Sequence, residues 1–194
     1  MILSDGEIRE AISKKKIVID PVPGPEQYTT SALDLFLGEE IFRLKTQEEL
    51  EKEEPPGVSR PLIIDPLAVK IPLLLKKYAT PLPREADGSF ILPPKMFALG
   101  ITREYVDLPL KSKIAARVEG RSTLARLGLV VHLTAPTIHA GFKGRIALEM
   151  CNFGEYPLRL LPGRLAVCQL IFERLGRIPG GLMKSRYLGQ KSVR

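Results

Sequence analysis

The chain has 194 residues, of which 44% are hydrophobic, enough for one domain whose core needs no disulfides. No run approaches the roughly 18–20 uninterrupted apolar residues of a membrane helix, and the start of the chain turns polar at once, so we expect no signal peptide and a cytoplasmic protein. The net charge of +7 and the pI of about 9.5 favour an anionic partner. Aromatic residues make up 6% and tryptophan is absent, which disfavours nucleic acid held by base stacking.

The chain begins with a helix signal. Ser4 and Glu7 form a capping box, in which each side chain satisfies a free backbone donor, and they predict a helix over residues 4–14. The run at 17–21 then predicts a short strand that a proline stops. Residues 31–38 alternate leucines with other side chains, which predicts a second strand ending at its final glycine.

Prolines divide the middle of the chain. The acidic loop, residues 46–60, contains the charged run 46–57, which predicts a solvated surface loop or helical turn. Apolar runs follow it, and because proline cannot donate to a central ladder, we expect strand ends, edges or bulges there. These runs are LIIDP at 62–66, VKIPLLL at 69–75 and SFILPPKMFALGI at 89–101, with two further strands around 105–108 and 114–118.

Residues 119–154 hold the densest mixture of glycine, arginine, serine, histidine and glutamate. Within it, Ser122 is predicted to cap a short helix that Gly128 ends in a left-handed turn. The helix start beside Arg121 then suits an anion, and Ser122 and Arg126 share one helix face. An ordinary capped turn with a surface arginine is the alternative.

Residues 144–150 alternate as a strand with one apolar face. The apolar side chains are Ile146, Leu148 and Met150. The opposite face carries Arg145 and Glu149, and a buried glutamate paired with an arginine is a candidate general base. A structural ion pair is the alternative interpretation.

The two histidines give no zinc site. His132 and His139 lie seven residues apart without a third ligand, and Cys151 and Cys168 form no C-x-x-C pair. His132 alternates with apolar neighbours and is expected to pack in a strand.

The chain closes with apolar strands over 159–175, around a turn at Pro162 and Gly163. The tail that follows is rich in glycine and basic residues. We therefore expect one domain over 1–175 and a mobile C-terminal lid over 176–194.

Taken in order, these segments resemble the dCTP deaminase family of the dUTPase-like superfamily. The similarity rests on MILSDGEIREAI, SALDLFLG, LPPKMFALGITREYVDLP, GRSTLARLGLVVHLTAPTIHAGFKGRIALEMCNFG, LLPGRLAVCQLIFERL and SRYLGQ. It implies a mainly β fold, a distorted jelly roll or β-clip with a short N-terminal helix. It also implies a homotrimer with active sites between subunits, Mg²⁺ carried by the nucleotide triphosphate, and no zinc.

The resemblance assigns roles at the reacting centre. Glu149 would be the general base that takes a proton from water. Ser122 and Arg126 would orient that water and the pyrimidine, with the backbone carbonyl of Ala135. The charge of Arg126 would keep Glu149 ionised.

It also assigns nucleotide contacts. Arg121 and Thr123 would hold phosphates. His139 stands where many relatives have an aspartate that contacts the sugar 3′-hydroxyl, so we expect it to contact the ribose. The tail would fold over the nucleotide through Arg186, Tyr187 and Gln190.

The function expected first is hydrolytic deamination of dCTP to dUTP and ammonia, because the spelling LAR resembles the branch that only deaminates. A bifunctional deaminase and diphosphatase, a dUTP diphosphatase, and a non-catalytic nucleotide-binding regulator are the alternatives. We expect neither nucleic acid nor a membrane as partner.

Overall fold

The structure is a computed structural model that describes residues 1–53, 62–181, 189 and 191–192. Its helices are short. They are α1 (Asp5–Ser13), α2 (Gln47–Glu53), α3 (Ile71–Tyr78) and α4 (Ser122–Ala125). No helix of the described chain is long and apolar enough to cross a membrane.

Strands dominate the described chain. They are β1 (Val18–Asp20), β2 (Leu33–Leu44), β3 (Ala79–Pro81), β4 (Phe90–Leu92), β5 (Phe97–Asp107), β6 (Ile114–Gly120), β7 (Leu129–Val130), β8 (Thr137–Ile138), β9 (Lys143–Asn152), β10 (Leu158–Leu160) and β11 (Ala166–Arg174). The predicted mainly β fold with a short N-terminal helix is confirmed.

One antiparallel sheet organises the molecule, in the strand order β7-β9-β5-β2-β11-β6-β8. Strand β1 pairs with β5 and β3 with β2, whereas β10 and β4 form a separate small sheet. The central strand β2 pairs with β11 over residues 33–36 and with β5 over residues 37–42. It therefore joins two halves of the sheet, one containing β9 and the other containing β6.

Helix α1 forms as its sequence predicts. The Glu7 backbone N–H donates to Ser4 Oγ at 3.4 Å, and the Ser4 N–H donates to Glu7 Oε2 at 2.9 Å. Ile8 and Ala11 are buried in the main core. The capping box thus fixes the helix start, and the apolar stripe attaches α1 to the sheet.

The prediction that the second strand ends at Gly38 is wrong. Strand β2 continues to Leu44, with a register shift between Leu37 and Ile41. A Cβ on Gly38 would lie 2.8 Å from the Ile101 carbonyl oxygen. The glycine therefore permits a close approach to β5 inside the strand, where a side chain would force the strands apart.

The apolar runs at 62–66 and 69–75 are not strands. Residues 62–66 are exposed and lie outside any helix or strand, and most of the second run lies in helix α3. Pro72 occupies the first turn of α3, where its missing N–H breaks no helical hydrogen bond. Leu74 and Leu75 pack with Phe42 in a small second core.

The acidic run is helical as far as Glu53, in α2. The Arg43 guanidinium donates two hydrogen bonds, of 2.6 and 2.5 Å, to the Glu49 carboxylate. These bonds, with one from the Thr46 backbone, lower the pKa of Glu49 to about 2. The run is thus tied to β2 at its start.

Candidate active site

Strand β9 carries Glu149 on its outer face. Ile146, Leu148 and Met150 are buried beneath it, as the alternation predicts. Glu149 lies opposite Leu99 of β5 and is half-buried. Burial raises the pKa of its carboxyl group, and a backbone hydrogen bond and the nearby His132 partly oppose that shift. The side chain is therefore a carboxylate with increased affinity for a proton.

Helix α4 is a single turn. Ser122 is its first helical residue, and Arg121 occupies the capping position without a side-chain hydrogen bond to the helix. The prediction that Ser122 caps this helix is therefore wrong. Four residues also sum to a weak dipole, so an anion would depend on side chains here. Ser122 and Thr123 are exposed and available for such contacts.

Glycine geometry brings α4 to the edge of β9. Gly128 has φ of +90° and donates its N–H to the Ala125 carbonyl at 3.0 Å, which confirms the predicted left-handed turn. A Cβ there would clash with the backbone of Gly154. Strand β7 follows directly and pairs with Cys151 and Asn152 of β9. The α4 turn and the strand of Glu149 thus meet at one sheet edge.

Arg126 and Glu149 do not pair within the protomer. Arg126 is exposed at the end of α4, one turn after Ser122, whose carbonyl accepts its N–H at 3.1 Å. Within the described residues, no ion pair joins Glu149 to any arginine, and the opposite charge acting on it is His132. The part of the chain that the structure describes thus gives Glu149 no arginine partner.

The histidines occupy different environments. His132 lies between β7 and β8 and not inside a strand, which corrects that prediction. Its Nδ1 is buried and lacks a hydrogen-bond partner among the described residues, while its Nε2 lies 4.0 Å from Glu119 Oε2. His139 is exposed directly after β8, and its carbonyl accepts the Phe142 N–H at 3.0 Å. Ala135 is exposed in the segment before β8.

Asp34 is a residue of this region that the sequence patterns do not single out. It is buried on β2 and forms an ion pair with Arg121. Burial raises the pKa of the Asp34 carboxyl, and the charge of Arg121 opposes the shift. In the sequence, an aspartate that alternates with leucines is typical of a strand position that faces solvent. Its pairing with Arg121 across the sheet is the feature that distinguishes it, and that feature becomes visible only once the strand order is known.

The tail is described at three positions beyond residue 181. The Gly189 N–H donates to the Lys143 carbonyl at 2.6 Å, and Ser192 Oγ donates to Glu40 Oε2 at 2.7 Å. The predicted contacts Arg186, Tyr187 and Gln190 lie outside the described residues. Among the described residues, no group of three histidine, cysteine, aspartate or glutamate side chains could hold a metal ion.

Curated proteins resemble this chain over nearly its whole length. A protein of Methanobrevibacter smithii named dCTP deaminase, dUMP-forming, is 39% identical over 97% of this chain and 91% of its own. One of Methanothermobacter thermautotrophicus with the same name is 40% identical over 97% and 89%. A dCTP deaminase of Rhodospirillum rubrum is 39% identical over 90% and 83%.

A solved structure has the same fold. The 2′-deoxycytidine 5′-triphosphate deaminase from Agrobacterium tumefaciens matches with a TM-score of 0.62 and 20% identity, over 89% of this chain. The match spans 48% of that protein's chain, about half its length. The family model described as dCTP deaminase-like matches residues 2–175, from the start of the chain to the end of β11. The chain therefore belongs to the dCTP deaminase-like family.

Proposed function

We propose that this protein catalyses hydrolytic deamination of dCTP, with Glu149 as the general base. The observation that carries the proposal is a half-buried carboxylate on β9, with a raised pKa, at the edge where the Ser122–Arg126 turn meets the strand. The names of the relatives supply the substrate. A carboxylate with a raised pKa is a stronger base than a solvated one and can both accept and return a proton.

Deamination needs a group that first accepts a proton from water and then donates it to the pyrimidine ring. Water attacks C4 of the cytosine ring while Glu149 takes a proton from it. Glu149 passes that proton to ring nitrogen N3, and a second proton from the tetrahedral intermediate reaches the exocyclic amine. The C4–N bond then breaks, so that dCTP and water give dUTP and ammonia. Ser122, Arg126 and the Ala135 carbonyl orient the water and the ring.

The relatives' names favour a further step. The sequence predicts release of dUTP, whereas the relatives from Methanobrevibacter and Methanothermobacter are named dUMP-forming. We therefore propose that the same site hydrolyses the α–β phosphoanhydride of dUTP, giving dUMP and pyrophosphate. This is the bifunctional alternative of the sequence interpretation, now preferred over release of dUTP.

The substrate is the magnesium complex of the nucleotide. Phosphate oxygens are hard ligands that suit Mg²⁺, and Arg121 and Thr123 would contact the phosphates. The ion thus arrives with dCTP and needs no resident protein site. Zinc has no role in the proposed chemistry.

The site is proposed to lie between copies of the chain in a homotrimer. Burial disfavours the charged form of Glu149, and no arginine among the described residues of the protomer opposes that effect. Arg126 is exposed on the α4 turn. A neighbouring subunit that brings its Arg126 to Glu149 would keep the base ionised and cover the site from water.

Product analysis tests the activity. The purified protein is incubated with dCTP and Mg²⁺, and ammonia, dUTP, dUMP and pyrophosphate are measured separately. We expect equal amounts of ammonia, dUMP and pyrophosphate. Accumulation of dUTP would reject the second step, and absence of ammonia would reject deamination. A chelator tests the metal assignment. If it removes bound zinc together with the activity, and only added zinc and not Mg²⁺ restores that activity, the assignment is rejected.

Mixing two variants of strongly reduced activity tests the shared site. Glu149→Gln and Arg126→Ala subunits are unfolded together, refolded and assayed. If each site takes Glu149 from one copy and Arg126 from another, the mixture contains some sites with both residues and regains activity. Variants refolded separately are the control. A mixture as inactive as its components would place both residues of each site in one subunit.

A further inference from the structure

A buried ion pair joins Arg121 to Asp34, a residue given no role so far. Asp34 on β2 is 5% exposed, and its Oδ2 accepts a hydrogen bond from Arg121 Nη1. Its other oxygen, Oδ1, is buried and has no hydrogen-bond partner among the described residues. A buried carboxylate with a single partner depends strongly on that partner, because removal would leave an uncompensated charge.

The sheet explains how the two residues meet. Asp34 pairs in register with Gln169 of β11, and Gln169 pairs with Glu119 of β6 on its other side. Adjacent strands lie about 4.8 Å apart, so two strand spacings separate Asp34 from the end of β6. Arg121, just after β6, is long enough to reach back across that distance. Strand order therefore brings a carboxylate from near the start of the chain to the turn that precedes α4.

The backbone before Arg121 is held by the same row. Gln169 Nε2 donates to the Gly120 carbonyl at 3.2 Å. The row from Asp34 to Gln169 thus contacts Arg121 twice, once through the preceding peptide and once through the guanidinium. Both contacts limit the directions in which the arginine can point.

The Arg121 guanidinium has more N–H donors than the ion pair with Asp34 uses. It carries five N–H groups in a rigid fork, and the Arg121 side chain remains 35% exposed. Asp34 holds one edge from inside the protein. The next two residues of the chain, Ser122 and Thr123, are exposed.

We propose that Asp34 is a positioning residue for triphosphate binding, which acts by fixing the Arg121 guanidinium so that its outer donors face the phosphates. The proposal rests on the proposed function, in which Arg121 contacts the nucleotide. A guanidinium already oriented loses little freedom on binding, whereas an unanchored one must be ordered by the ligand. Asp34 touches no reacting atom, so its removal should weaken binding more than it slows chemistry.

The test compares Asp34→Asn with the wild type and with Arg121→Ala. We expect Asp34→Asn to raise the KM for dCTP about tenfold, the effect of weakening charge-assisted hydrogen bonds, with kcat changed less than about twofold. In a chain that already has Arg121→Ala, Asp34→Asn should change the KM for dCTP little further, because Asp34 acts on binding only through Arg121. Asp87→Asn is the control, since it removes the carboxylate of another arginine pair, Asp87–Arg159.

Binding of inorganic tripolyphosphate with Mg²⁺, measured by calorimetry, separates this proposal from the proposed function. This probe needs no deamination, so a wild type that binds it but releases no ammonia rejects the activity and still tests Asp34. We expect Asp34→Asn to weaken tripolyphosphate binding about as much as Arg121→Ala does. Unchanged binding, or effects of the two substitutions that simply add, would overturn the positioning role.

A second variant covers the case in which Asp34→Asn does not fold. Arg121→Lys keeps the charge but loses the fork, so that one ammonium cannot serve Asp34 and the phosphates in fixed directions. We expect it to bind tripolyphosphate almost as weakly as Arg121→Ala. Binding equal to the wild type would show that a point charge suffices, and would contradict the need for orientation.

Discussion

The side chain of Glu149 lies on the outer face of β9, where it is neither fully buried nor fully exposed. Burial raises its pKa above the ordinary 4.5, so the proton is held more strongly than by a solvated glutamate. A base that takes a proton from water benefits from this affinity, provided that it is ionised when substrate binds. Basicity and ionisation are thus opposing demands on one residue.

Replacing Glu149 with glutamine separates binding from chemistry. The amide keeps the shape but cannot accept the proton, so we expect turnover to fall by at least about 10³-fold. Binding of dCTP, measured by calorimetry, should change by less than about threefold. Deamination near the wild-type rate would remove Glu149 from the role of general base.

Arg126→Ala should shift the pH dependence. The opposing charge of the neighbouring subunit's arginine is then lost and the effect of burial on the pKa of Glu149 is less opposed, so the carboxylate is protonated up to a higher pH. Activity requires the ionised form and is lost as pH falls through that pKa. We therefore expect the acid limb of residual kcat/KM to move to higher pH in the variant, whereas Arg159→Ala, an exposed arginine elsewhere, leaves it in place. An unmoved acid limb would show that Arg126 does not act on the base.

His139 is predicted to read the sugar. Its exposed ring follows β8, close in sequence to the Gly141 turn that leads into β9. His139→Ala should raise the KM for dCTP about tenfold and change kcat little, because a contact made equally in ground and transition states is lost. The preference for dCTP over CTP is measured in parallel. Unchanged KM and sugar preference would make the histidine a residue of the turn alone.

At the scale of elements, glycines set how closely the pieces of the site approach. At Gly128 a positive φ is combined with Gly154 backbone where a Cβ would lie, whereas Gly163 has φ of +69° and open space at its Cβ position. Substitution by alanine would strain the backbone at both positions because φ is positive, but only at Gly128 would it also cause a clash with Gly154. They form a matched pair.

Gly163→Ala should cost about 1 kcal/mol, the strain of a left-handed conformation, and lower Tm by about 2–4 °C. Gly128→Ala adds a backbone clash, so we expect at least twice that loss of Tm, together with a loss of deamination as α4 moves. Thermal melts and the ammonia assay measure both. Equal effects of the two substitutions would show that the turn can move away from Gly154 at no cost.

Local signals in the sequence predicted much of the fold. The Ser4–Glu7 box and the alternation around Glu149 involve neighbours in the chain, and both are confirmed. Pro72 misled the prediction because a proline in the first turn of a helix resembles one at a strand edge. The Asp34–Arg121 pair depends on strand order across β11, which no local pattern contains, and the predicted role of Glu149 needed the resemblance to a known family.

At the scale of the whole molecule, the tail is predicted to complete the site. Truncation after Pro179 removes Arg186, Tyr187 and Gln190 and leaves every strand of the described sheet intact. We expect a Tm within about 3 °C of the full chain, since few apolar residues are lost, and kcat/KM reduced by at least about tenfold because the cover over the nucleotide is gone. Full activity in the truncated protein would exclude the lid.

Strand β2 also sets when the protein can fold during synthesis. Its first half is completed by β11 (Ala166–Arg174), which the ribosome makes after every other strand of the described sheet. Until then β2 and β6 each lack their shared neighbour, and two edges with unpaired backbone groups stay open to other chains. A growing chain is therefore exposed to aggregation until β11 has been made, and premature termination before β11 should yield insoluble fragments and not a smaller folded domain.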